Sequence, residues 1–320
     1  MPVIETPSLI MDFVDRYREH NRVHAKSLIS TLFGDLVVPQ GGRVWVETIC
    51  HILDPLGVNS RLVRTSLFRL SEEGWLRSTK SGRNSYYQLS RLAESQTRLA
   101  EKLIYYPQEK QWDGLWTLVF LVMDNIDESA RQQLELELNW LGFGLVAKYV
   151  WAHPCVSVEQ VAERAKKLDL ADKVICMRCE NSYQPEIGLA VEDQLMASRC
   201  LPVAEVETEY QRFIDTFAPL IADRANKLRE CGEKDQLALR LILMDDYRRI
   251  ILRDPHLPRA LLPDTWVGTA AYELCRNIYQ HITPGADRYY RELISQAGSS
   301  LLGSPMARYA RRFDLNSIDD

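Results

Sequence analysis

Apolar residues recur at helical spacing near the start of the chain. Leu28, Ile29, Leu32, Phe33 and Leu36 predict a helix over Ser27–Leu36, and Val44–Leu53 predicts a second. Pro55 and Gly57 then stop the pattern, and Asn59 or Ser60 can cap a third helix running from Ser60 to Gly74. At about 100° per residue, this helix gathers Val63, Ser66, Leu67 and Leu70 on one side. Arg61, Arg64 and Thr65 fall opposite, near its N-terminus, and Phe68 also lies on the polar side. After Gly74 the pattern changes to that of strands. Trp75–Thr79 and Ser85–Leu89 are predicted to pair around Lys80–Asn84, with Gly82 supplying the tight turn.

A polar, helix-prone stretch from Arg91 to Ile104 follows, and Pro107 and Asp113-Gly114 mark a break. Gly114–Met123 is a continuous apolar run suited to a central strand. A helix capped by Asp127 is expected over Glu128–Leu141, then a strand over Gly144–Ala152, a helix opened by Ser157 and a strand over Lys173–Glu180. This β-α-β-α-β order suits a small ferredoxin-like unit. Beyond about Tyr183 the period is helical, notably over Tyr210–Ile221 and Leu237–Leu252, with a proline-punctuated connection at Arg253–Trp266. The expected architecture is α+β, in contiguous segments: an N-terminal module over 1–92, a helical linker over 93–110, a ferredoxin-like domain over 111–182 and a helical C-terminal domain over 183–320.

Charge sharpens the picture of the first segment. The 320-residue chain has a net charge of −5, which at first argues against nucleic acid. Between Asn59 and Leu92, however, seven bases (Arg61, Arg64, Arg69, Arg77, Lys80, Arg83 and Arg91) face only Glu72 and Glu73. That window is +5 and the remainder −10, so one short basic segment sits on an acidic molecule. The N-terminus lacks the pattern of a secretion signal, and no run approaches about 18 consecutive apolar residues, so a cytoplasmic protein without a membrane partner is expected. The seven cysteines are expected to be reduced, mostly buried thiols.

A basic helix followed by a basic hairpin is the arrangement of a winged helix-turn-helix. Early residues of such a helix enter the major groove, where arginine reads guanine bidentately, while the hairpin touches phosphate. The expected contacts to double-stranded operator DNA are Ser60, Arg61, Arg64, Thr65, Phe68 and Arg69 on the helix, with Lys80, Arg83 and Asn84 at the hairpin tip. Catalytic and metal chemistry have weaker support. Cys176-x-x-Cys179 suggests a metal site, but residues three apart on a strand point to opposite faces. Asp124 alone after the first strand does not make the carboxylate cluster of a metal-dependent nucleic-acid enzyme, which stands as the alternative reading. No G-x-S-x-G occurs, and Gly142-x-Gly144 lacks the third glycine of a phosphate loop. Neither an enzyme nor a resident cofactor is expected.

In these segments the sequence resembles the PaaX family of repressors of phenylacetate degradation. The matching pieces include SLISTLFGD (27–35), GGRVW (41–45), VRTSLFRLSEEGWL (63–76), GRNSYYQLS (82–90), WDGLW (112–116), LNWLGFG (138–144), YRRIILRDPHLP (247–258), LLPDTWVG (261–268) and LCRNIYQ (274–280). The resemblance implies a winged helix, a ferredoxin-like domain similar to that of a CRISPR spacer-acquisition nuclease, and a helical C-terminal domain. It further implies a homodimer that represses phenylacetate catabolism genes and is released from DNA by phenylacetyl-CoA, the alternative within the family being a related repressor that answers to a different aryl-acyl-CoA. The wing carries one basic residue fewer after Gly82 than some relatives. A dimer also has a physical reason, since a single winged helix makes few phosphate contacts and two can read a pseudo-palindrome. The middle domain, with its wholly apolar strand, is the expected interface. An acyl-CoA needs cations for its phosphates and an apolar slot for its acyl group. The candidates are Arg248, Arg249 and Arg253, with Tyr247, Trp112, Trp116, Trp140 and Trp266 as walls. The alternative is that these tryptophans are core and the arginines are solvated or pair with Asp245, Asp246 and Asp254.

Overall fold

The computed structural model describes residues 9–20, 24–81, 84–107, 110–122, 127–182, 184, 186, 188, 191–221, 225–296, 309 and 311–313. The architecture is α+β, and the chain divides into two compact units, neither of them contiguous. Unit 1 takes Met1–Pro107, Tyr210–Leu252 and Gly268–Asp320; unit 2 takes Gln108–Glu209 and Arg253–Val267. The N-terminal segment and most of the C-terminal one, expected as separate domains, therefore share one unit.

In unit 1, α1 (Leu9–His20) buries Ile10, Phe13, Val14 and Tyr17, an i, i+3, i+4, i+7 stripe. Next, α2 (Ala25–Leu32) runs into a π-helical turn at Phe33–Val37, so the helix expected to continue to Leu36 changes its winding. The segment expected as helix from Val44 begins instead as strand β1 (Arg43–Trp45), and α3 (Val46–Leu53) starts two residues later. Recognition of β1 by a distant partner, β3, decides this outcome. A short turn leads to α4 (Ser60–Glu72), followed by the hairpin β2 (Leu76–Ser81) and β3 (Asn84–Leu89), then α5 (Arg91–Tyr105). The three-stranded antiparallel sheet has the order β1-β3-β2.

Unit 2 holds β4 (Leu115–Leu121), α6 (Glu128–Trp140), β5 (Gly144–Ala147), β6 (Val150–His153), α7 (Val158–Lys167), β7 (Val174–Glu180) and α8 (Asp193–Cys200). The single strand expected over Gly144–Ala152 is a hairpin, folded at Lys148-Tyr149, where Tyr149 adopts φ 65°. The resulting βαββαβ chain forms an antiparallel sheet of order β5-β6-β4-β7, which is the ferredoxin-like topology. The apolar strand β4 lies between β6 and β7 and feeds two cores. Val119 and Leu121 pack with Leu134, Leu138 and Val161 of α6 and α7; Trp116 and Leu118 pack with Ala197, Leu201, Leu257 and Leu261. Most of the apolarity of β4 is thus spent inside the unit, while Leu115, Leu118 and Phe120 are half-buried.

His153 at the end of β6 is buried, and its Nδ1 accepts from the backbone N–H groups of Cys155 (2.9 Å) and Val156 (3.0 Å). Burial, assisted by Lys110, pushes its pKa down to about 4. The unfolded chain titrates near 6.5, so between these values it binds the proton that the folded unit refuses. Unit 2 is expected to lose stability as pH falls from about 6.5 to about 4. Denaturant unfolding of the full chain across this range, with amide exchange read on β6, checks the prediction; a flat profile on β6 contradicts it.

The remaining helices are α9 (Val203–Phe217), α10 (Ala225–Glu230), α11 (Glu233–Ile251) and α12 (Gly268–Gln296). α9 places Val203 in the second core of unit 2, and Tyr210, Phe213 and Phe217 in unit 1. α11 is buried nearly all round and packs on α12, α2, α1 and α5, making it the central helix of unit 1. It carries a fully buried Arg240. That guanidinium donates to Asp35 (Nε to Oδ2, 2.6 Å), Asp287 (Nη1 to Oδ1, 2.7 Å) and the hydroxyls of Tyr279 and Tyr309 (2.7 and 2.6 Å). A second buried arginine, Arg312, donates to Asp35 Oδ1 (3.2 Å) and Glu101 Oε1 (3.0 Å) and stacks on Tyr105. Arg312 also takes the carbonyl oxygens of Gly34 and Asp35 at 3.0 and 2.7 Å, groups that lie in the π-turn. Burial alone would raise the pKa of Asp35; Arg240 and Arg312 overcome it and hold the carboxyl below the usual range.

Candidate nucleic-acid interface

α3 ends in a single 3-10 turn, Asp54–Leu56, and Gly57 reverses the chain with φ 76°, a left-handed conformation that favours glycine. Val58 is buried beside the turn, and Asn59 caps α4 by accepting the Leu62 N–H at 2.9 Å. α4 then buries Val63, Ser66, Leu67 and Leu70 against its neighbours, α2 among them. Its outward stripe is Arg61, Thr65, Phe68 and Glu72, spaced i, i+4, i+7, i+11, with Arg64 and Arg69 on the shoulders and Ser60 in the first turn; all are exposed. The Phe68 ring is 62% exposed, so it is not spent on packing against the hairpin. Leu62, 44% exposed, adds an apolar contact that helical period alone does not single out. Thr65 Oγ1 donates to the Arg61 carbonyl at 2.9 Å, leaving its lone pairs available to a donor.

The hairpin is tighter than the sequence suggests. Its strands pair from Leu76↔Leu89 out to Ser81↔Asn84, so only Gly82 and Arg83 separate them. Lys80 is consequently an exposed strand residue opposite Ser85 and not part of the loop. Arg83 and the Asn84 side chain lie outside the described residues. Lys80 shares the face of the sheet that carries Leu76, Leu89 and Val44, all buried, and Tyr87. Burial pushes the Tyr87 phenol up while Arg64 pulls it the other way, so Arg64 and this face of the hairpin are electrostatic neighbours.

Elsewhere arginines are largely committed: Arg131, Arg164, Arg178, Arg253, Arg276 and Arg288 each pair with a carboxylate. Among the described residues, no ion pair engages Arg43, Arg61, Arg69, Arg77 or Lys80. Arg64 does meet Glu47 of α3 at 3.3 Å, but both groups are more than half exposed, and such pairs contribute about 0–1 kcal/mol. Arg43, Arg61, Arg69, Arg77 and Lys80 thus stand on α4 and the three-stranded sheet as exposed cations with no ion pair among the described residues. The imbalance extends to the units: unit 2 has 11 Lys and Arg against 20 Asp and Glu, net −9, which leaves unit 1 at +4.

The residues expected to hold a ligand fall into separate groups. In unit 2, Trp112, Trp116 and Trp266 come together in the second core, where the Trp112 and Trp116 rings are 6.0 Å apart and Trp116 Nε1 donates to Asp193 at 2.8 Å. Trp140 is 80% exposed on α6, and Arg253 pairs with Glu209. In unit 1, Tyr247 is buried against Phe213. Arg248 donates to Thr31 Oγ1 (3.0 Å) and Ser27 Oγ (2.9 Å) of α2, and both hydroxyls donate in turn to Asp245 (2.8 and 2.7 Å). Arg249 pairs with Asp246, which also accepts from Tyr17 at 2.7 Å. No motif in the sequence announces that α11 grips α2 in this way.

Cys176 and Cys179 pair with Val119 and Trp116 of β4, residues that feed opposite cores, so the two thiols stand on opposite faces. All seven cysteines are free, but only Cys275 is buried, which corrects the expectation of mostly buried thiols. Asp124 lies outside the described residues. No group of three or more His, Cys, Asp or Glu among the described residues is placed to hold a metal ion, and no helix among them is long and apolar enough to cross a membrane.

Comparison with known proteins spans most of the chain. Residues 24–93 match the family described as PaaX-like protein, 109–189 the PaaX protein central Cas2-like domain and 202–292 the PaaX-like protein C-terminal domain. The chain is similar to the transcriptional repressor PaaX of Escherichia coli (strain K12), with 35% identity over 297 residues, 91% of this chain and 90% of that one. A solved structure, the uncharacterized protein Rv0674 from Mycobacterium tuberculosis, is similar over 75% of this chain and 90% of its own, at 18% identity and a TM-score of 0.45.

Proposed function

The chain belongs to the PaaX family, and on that premise we propose that it is a cytoplasmic transcriptional repressor that binds operator DNA as a homodimer. Its target genes are those of phenylacetate catabolism, and phenylacetyl-CoA releases it. The observation that carries the DNA-binding part is the outward stripe of α4, where Arg61 and Arg69 have no ion pair among the described residues and Arg64 has only an exposed one with Glu47. Arg61 and Arg64 have the reach and the paired donors to read guanine edges in the major groove. Thr65 and Phe68 present a methyl and a ring to a thymine methyl, while Lys80 and Arg83 suit backbone phosphate.

The bond network of α11 supports a route for release. Arg248 holds Ser27 and Thr31 of α2, and α4 packs on α2. An anionic ligand that drew Arg248 away from these partners would loosen the helix on which α4 rests. The test is an operator gel shift: phenylacetyl-CoA is expected to dissociate the complex, and free phenylacetate is not. Release by phenylacetate alone would remove the coenzyme from this reading.

A further inference from the structure

We propose that the outer face of the three-stranded sheet is a second phosphate-backbone contact, separate from α4 and the hairpin tip. The proposal rests on the DNA-binding reading of α4. Arg43 of β1 lies directly opposite Gln88 of β3, and Gln88 lies directly opposite Arg77 of β2. Residues paired in this way share a face, so the three form one row across the sheet. The other face is turned to the core by Val44, Leu76 and Leu89, all at most 4% exposed, which directs the row outward. Arg43 and Arg77 are exposed, and no ion pair among the described residues engages either.

The row is set on a firm base. In the next row outward, Trp45, Tyr86 and Thr79 are aligned; Trp45 meets Tyr86 edge-on at 5.6 Å, and the Arg43 guanidinium lies 5.7 Å from the Tyr86 ring centre. The strands Arg43–Trp45, Leu76–Ser81 and Asn84–Leu89 contain no Asp or Glu. Two guanidiniums bracketing an amide donor, on strands without acids, form a line of hydrogen-bond donors. A phosphodiester chain supplies the matching line of anionic oxygens, each able to take two parallel N–H bonds from arginine. Such contacts fix register and carry no sequence information.

The experiment compares the full chain with R43Q/R77Q and R43K/R77K on operator and random duplex over a range of salt. R43Q/R77Q is expected to weaken both duplexes by a similar factor, about tenfold, and to reduce the slope of log K against log salt by roughly 1.8, the equivalent of two phosphates. The ratio between operator and random DNA should be unchanged. R43K/R77K should restore the slope, because a lysine point charge also displaces counterions. A glutamine variant with wild-type slope overturns the proposal, as does one whose lost affinity lysine does not restore. Absence of operator binding by the wild-type chain would instead sink the reading of α4 on which the proposal stands.

Discussion

Arg240→Leu is expected to destabilise unit 1 by about 3–5 kcal/mol at neutral pH, the range found when one partner of a buried ion pair is removed. Arg240 is fully buried and serves Asp35, Asp287, Tyr279 and Tyr309 together. Its loss leaves two acidic groups facing an apolar side chain, with Arg312 compensating only Asp35. Asp35→Asn should cost less, because Arg240 keeps Asp287 and Arg312 keeps Glu101. The pH dependence separates this account from a simple packing defect. In the wild type the Asp35 pKa is held low, so its contribution is present above the unfolded carboxylate range and is lost as pH falls through the folded value. Without Arg240, burial governs and the carboxyl takes up a proton at higher pH. The gap in stability between wild type and R240L should therefore narrow on acidification. Denaturant unfolding, with amide exchange read on α2 and α11, gives both quantities; a cost below about 1 kcal/mol, or a gap independent of pH, would contradict the account.

Arg64→Ala is expected to lose sequence discrimination, lowering operator affinity by about 1–3 kcal/mol while sparing random DNA. Arg61→Ala should behave in the same way at a different base, since both groups leave the N-terminal half of α4. Lys80→Ala should weaken operator and random duplex alike and flatten the salt dependence. The exposed Glu47 gives a control of opposite sign. Because its pair with Arg64 is weak, Glu47→Gln removes an acid beside the groove at little structural cost and should raise affinity for random DNA. Titrations of labelled duplexes over a range of salt read all four. Full retention of the operator-to-random ratio by R64A and R61A would mean that α4 is not the reading element.

The local part of this design is legible in the order of residues. Val63, Ser66, Leu67 and Leu70 follow from helical period alone, and the structure buries these four. The alternation around Gly82 likewise announces a hairpin, but its strands run two residues further on one side and one on the other. Lys80, Ser81 and Asn84 look like loop because they are polar residues flanking Gly82 with no apolar alternation of their own. β1 is hidden because Val44 and Trp45 fit a helix as well as a strand, and only the register with β3 settles it. Arg43 and Arg77 cannot be read as a row for the same reason. Asp35 is the clearest limit. A polar residue inside an apolar helical pattern suggests nothing by itself, and its partners stand 205 and 277 positions away. The expected ligand arginines show the same limit, since nothing near Arg248 in sequence points to Ser27 and Thr31.

That separation in sequence has a consequence during synthesis. Ribosomes add about 5–20 residues per second, so Arg312 follows Asp35 into the growing chain by roughly 14–55 s. For that interval the nascent N-terminal helices hold an acidic group whose two cationic partners have not both been made. Chains whose synthesis stops before Arg312 never complete the pair of cations around Asp35. The expected outcome is that DNA binding is confined to finished copies, with aborted ones left loosely folded and open to degradation instead of occupying operators.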